Sequence, residues 1–138
     1  MIDVENIVFN TVATSLRSEF TGIFVSGENT EVLSTFPAAT IVEMDNSVYQ
    51  RTSDSSATEN HATVMYQAEA YSNKSSGRKA QAKAIMAVID EEMTEMGFVR
   101  IGNSPLRLPN LDQSIYRIVA RYRAVVGKNN NDYLTYRR

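Results

Sequence analysis

A chain of 138 residues with 43% hydrophobic and 22% charged side chains is long enough for one domain with a real core and too short for two ordinary ones. A formal charge of -2 and a pI near 5.4 argue against general nucleic-acid binding, which needs a basic field around the phosphates, although a local basic patch stays open. The absence of cysteine excludes disulfides, thiolate metal sites and a cysteine nucleophile.

No apolar run approaches the length of a membrane span, and Met1-Ile2-Asp3-Val4-Glu5 has neither the basic region nor the apolar core of a signal peptide. The expectation is a soluble chain, made in the cytoplasm, with no membrane partner. Asp3 is placed to cap a helix reaching about Phe20. Ile2 before the cap and Ile7 inside it fit a hydrophobic staple, Val4, Val8, Val12 and Leu16 form an apolar stripe, and Gly22 ends the helix. Residues 23–25 read as a short strand and Ser26-Gly27-Glu28-Asn29 as a turn. After Phe36-Pro37, residues 38–44 form an apolar run whose Thr40, Ile41 and Val42 favour a strand.

Residues 45–61 turn polar, with Val48 and Tyr49 almost the only apolar anchors. Such a stretch buries too little to order itself, so it reads as a long mobile loop, either an arm that reaches a partner, with Tyr49 and Arg51 as contacts, or a tolerated insertion. Residues 62–72 alternate as a half-buried strand does: Val64, Tyr66, Ala68 and Ala70 share one side, Thr63, Gln67 and Glu69 the other.

The clearest segment is residues 76–97. Ala82, Ile85, Met86, Ile89, Met93 and Met96 recur at three- and four-residue steps, the spacing of one helical face. Gly97 supplies a left-handed terminator, with Phe98 placed to fold back as in a Schellman closure. Burying each of the larger apolar side chains contributes roughly 1.5 to 3 kcal/mol before entropy, so this helix needs a sheet to lie on. Its charges run against its dipole: Arg78, Lys79 and Lys83 near the start, Asp90, Glu91, Glu92 and Glu95 near the end. Either this is a solvated face, or it marks a subunit with a basic and an acidic end, suited to head-to-tail packing in a ring.

Residues 98–101 begin another strand, and Pro105 and Pro109 define an extended loop. Residues 115–126 are the strongest strand, with Tyr116, Ile118, Ala120, Tyr122, Ala124 and Val126 on one face and Arg117, Arg121 and Arg123 on the other. The last segment, residues 127–138, is polar except for Tyr133, Leu134 and Tyr136, and either frays or docks on a neighbour through them. Together these elements predict a single α+β domain: a mostly antiparallel sheet of about four strands covered by the central helix, plus the N-terminal helix on the same face or an edge, a long polar loop and an extended C-terminal tail.

Chemistry finds little support. The single His61 has no second histidine or cysteine to share a metal, and no loop alternates acids around a glycine as calcium sites do. Glu91, Glu92 and Glu95 are a helix-end cluster whose adjacent members diverge. No serine stands in a Gly-x-Ser-x-Gly elbow, and the glycines form no phosphate cradle. No catalytic residue, metal ligand or cofactor site is expected. The arginine row is the informative polar feature: an exposed face pairing with Glu69 across strands, an interface with an acidic surface, or a channel wall past which DNA moves. Tyr66, Tyr116 and Tyr122 on a sheet also raise a nucleic-acid-stacking module, but their shared parity with Val64 and Ile118 argues for core.

Phe36-Pro37-Ala38-Ala39-Thr40-Ile41-Val42-Glu43-Met44-Asp45-Asn46-Ser47, the strand at 59–71, the Lys/Ala-rich helix ending Met96-Gly97-Phe98, and Ile115-Tyr116-Arg117 with Arg121-Tyr122 together resemble the tail terminator (tail completion, or minor tail) proteins of bacteriophages with long, flexible, non-contractile tails. The resemblance runs from about Phe36 to Val126, and related neck and head-completion proteins share much of the pattern. It implies a small α+β subunit of a hexameric ring in the virion, at the head–tail junction. Such a ring caps the finished tail tube, meets the tail tube protein and the head connector or stopper, and lets DNA pass without specific binding. It implies no turnover, and carries over no catalytic residues.

Overall fold

The computed structural model describes residues 2–28, 35–48, 61–107 and 114–127. Among these residues two helices and five strands follow one another as α1 (Glu5–Glu19), β1 (Phe24–Ser26), β2 (Ala38–Val48), β3 (His61–Ser72), α2 (Arg78–Glu95), β4 (Val99–Arg107) and β5 (Tyr116–Gly127). The strands form one mixed sheet in the order β1-β2-β3-β5-β4. β2–β3, β3–β5 and β4–β5 pair antiparallel, and the added edge strand β1 pairs parallel to β2. The expected α+β architecture is present, with five strands in place of about four. Strand β1 is only three residues long, too short for its own pattern to establish its pairing.

Both helices pack on one face of the sheet. The stripe of α2, Ala82, Ile85, Met86, Ile89 and Met93, is buried, and so are Val8, Val12 and Leu16 of α1. They share one core with Ile41 of β2, Val64 and Tyr66 of β3, and Ile118, Tyr122 and Val126 of β5. Helix α2 closes as its sequence predicts: the Gly97 amide donates to the Thr94 carbonyl at 3.0 Å, and the Phe98 amide to the Met93 carbonyl at 2.9 Å. Gly97 takes φ 98°, a conformation a side chain would strain. Phe98 is then buried edge-on to Tyr66, with ring centroids 5.6 Å apart.

The start of α1 departs from expectation. The cap position is Val4, and Asp3 instead accepts the Glu5 amide at 3.0 Å. Ile2 is drawn into the core while Ile7 stays 38% exposed, so these two do not form the staple.

Of the polar stretch at 45–61, read from its composition as a loop, residues 45–48 complete β2 and His61 opens β3, and residues 49–60 lie outside the described residues. Asp45, Asn46, Ser47 and Val48 pair with Met65, Val64, Thr63 and Ala62 beyond a bulge at Met44. The bulge adds one residue and so exchanges the faces of everything after it. Asn46 therefore turns to the helix side, where its amide donates to the Ile2 carbonyl at 2.6 Å. Backbone pairing, not apolar burial, orders this segment. In β4 the ladder breaks between Ile101 and Leu106, around Gly102 (φ 70°) and Pro105, which cannot donate to it. The strand resumes beyond Pro105, where the sequence suggested a loop, while Pro109 lies outside the described residues.

Candidate interaction face

With both helices on one side, no helix among the described residues covers the other side of the sheet. Strand register places Gln67, Glu69 and Tyr71 of β3, Arg117, Val119, Arg121 and Arg123 of β5, and Val99 and Ile101 of β4 on it. This face divides into two regions of different character.

The first is a closed polar knot. Glu69 is 4% exposed, and its carboxylate accepts from Arg117 Nε at 2.6 Å, Tyr71 Oη at 3.0 Å and Thr40 Oγ1 at 3.4 Å. The Arg117 guanidinium also lies over the Tyr71 ring, 5.9 Å from its centroid. Burial works against the charge of Arg117, yet the hydrogen bond and charge of Glu69 outweigh it and hold the guanidinium above its ordinary pKa. Burial and the neighbouring Glu69 carboxylate push Tyr71 up to about 12. A buried charge needs this many partners, because an unpaired one is costly.

The second region is open. Arg121 sits opposite Gln67 and donates to its Oε1 at 3.0 Å, a neutral partner, and no carboxylate among the described residues pairs with it. Arg123 lies between Met65 and Val99 in the ladder. Both arginines are exposed, and Val99 is 65% exposed. Here the sheet presents two cations among aliphatic side chains. The arginine row thus separates: Arg117 is engaged within its own subunit, as cross-strand pairing with Glu69 predicted, while Arg121 and Arg123 face outward. Tyr49, Arg51, Tyr133, Leu134 and Tyr136 lie outside the described residues.

On the helix side the tyrosines are core. Tyr66 and Tyr122 are 1% and 0% exposed, so neither can stack on a base. The Tyr66 hydroxyl donates to Glu43 at 2.9 Å and that of Tyr122 to Asp90 at 2.9 Å. Burial, with the carboxylate partner, raises both phenols far above their ordinary range. The reversed charges of α2 are partly explained by these contacts. Asp90 holds Tyr122 and, at 2.8 Å, Arg100, and Glu92 accepts from Ser15 of α1 at 2.6 Å. No periodicity in the sequence signals such long-range partners. Glu91 and Glu95 remain exposed.

His61 is half-buried at the start of β3, opposite Gly127. Among the described residues, no group of three or more histidine, aspartate or glutamate side chains is placed to hold a metal. No helix there is long and apolar enough to cross a membrane. Comparison with protein-family models and with curated protein sequences gave no match.

Proposed function

We propose that this chain is a structural subunit of a phage virion, a ring-forming tail terminator. The ring caps the tail tube at its final length and joins it to the head connector. It acts by steric fit and interface, performs no reaction, and lets DNA pass without sequence recognition.

The observation that carries the reading is the sheet face opposite the two helices, on which Arg121 and Arg123 stand exposed beside Val99. Aliphatic surface interleaved with arginine is the composition of a protein contact. The resemblance over residues 36–126 supplies the kind of assembly such a contact serves. The described core accommodates it, since the polar residues buried there are engaged in holding elements together.

The test is mass by light scattering across a concentration range, followed by negative-stain imaging, alone and with tail tubes. Closed rings, and rings seated at tube ends, are the expected result. A particle that stays at 15.4 kDa at every concentration and ignores the tubes would overturn the reading.

A further inference from the structure

We infer that the open sheet face of one subunit is covered by the outer ridge of α2 from a second copy, with Arg121 and Arg123 meeting Glu91 and Glu95 of that copy. This rests on the reading of the chain as a self-associating ring subunit and names the surfaces that touch.

The argument starts from what α2 presents outward. Opposite its buried stripe, the ridge carries Ala80, Ala84, Ala87, Glu91 and Glu95, all exposed. The alanines leave a flat surface that a sheet can approach closely. The two carboxylates point away from the subunit's own sheet, and neither bonds to another described residue, unlike Asp90 and Glu92 beside them.

The spacing also matches. Two residues along a strand separate Arg121 from Arg123 by about 6.7 Å, and four residues along a helix separate Glu91 from Glu95 by about 6 Å. A helix laid along β5 therefore pairs both cations with both carboxylates, and its alanines run on along the strand past the arginine pair, toward Val119 or Val125 of the same face. The two surfaces lie on opposite sides of the subunit, so neither can satisfy the other within one chain. The contact is heterologous, and repeated around an axis it closes a ring. Each sheet would then have helices on both faces.

Charge exchange tests this on the full chain. R121E/R123E and E91K/E95K are each expected to weaken self-association at least about tenfold, because two attractive pairs become repulsive. Equimolar mixing of the two variants should restore rings in which they alternate, because the sheet face of each then meets helix residues of opposite charge on the other, while neither variant forms rings alone. The quadruple variant R121E/R123E/E91K/E95K should restore wild-type rings. All four positions are exposed, and unchanged circular dichroism and melting confirm folding. Should R121E/R123E unfold, Arg121→Gln with Arg123→Gln gives the same readout with a smaller loss. If the wild type forms rings and both reversals leave them intact, or if the quadruple variant fails to recover them, the pairing is wrong and the ring reading stands. If the wild type never associates, both fall.

Discussion

At the scale of single residues, Arg117 and Glu69 show how a charge on a sheet can belong to the fold. The pair joins β5 to β3 diagonally, and Glu69 is nearly inaccessible. Replacing Arg117 by Met leaves a buried carboxylate with its main partner gone, at an expected cost of about 2 to 4 kcal/mol in urea unfolding. Adding Glu69→Gln should recover part of that loss, since the uncompensated charge goes with it. A single-variant loss below about 0.5 kcal/mol would show that solvent, not Arg117, stabilises Glu69. Glu43 gives a pH signature. Burial raises its pKa, Glu5, Asp3 and Asp45 add repulsion, and the hydrogen bond from Tyr66 works the other way. With the folded pKa above the unfolded one, the folded state holds the proton more tightly, so ionised Glu43 costs stability at neutral pH. That cost is relieved as pH falls through the folded value toward 4.5. Glu43→Gln keeps an acceptor for Tyr66, so it should raise the melting temperature at pH 7 by about 1 to 3 °C. The gain should vanish near pH 4, and a gain independent of pH would refute this origin.

At the scale of elements, α2 was legible because pattern and terminator agree: the three- and four-residue steps define one buried face, and Gly97 ends the helix in the only backbone region that completes the closure. Gly97→Ala at φ 98° should cost about 1 to 2 kcal/mol in thermal or urea unfolding. An unchanged midpoint would mean that the closure adds nothing. The strands were legible where they alternate, as in β3 and β5. They were not legible in the polar end of β2, because hydrogen bonds to β3 hold that segment and backbone pairing leaves no mark in side-chain composition. The bulge at Met44 adds to this, since it breaks the parity by which faces are read. The start of α1 failed for a related reason: whether Ile2 staples the helix or enters the core depends on how the core packs around it.

At the scale of the whole molecule, sequence periodicity by itself determined which side chains face inward on α1, α2, β3 and β5. Burial of apolar surface is local in its pattern, and repeats of 3.6 and 2 residues record it directly. The same periodicity placed the three arginines together on one face. Only the tertiary structure decided what that face is. Register brings Glu69 and Tyr71 within reach of Arg117 and leaves Arg121 and Arg123 outward. Both described helices pack on one side of the sheet, and the fold directs Asp90 and Glu92 to partners within the subunit while leaving Glu91 and Glu95 exposed. These outcomes depend on pairs of residues dozens of positions apart, and a linear pattern carries no term for such distances.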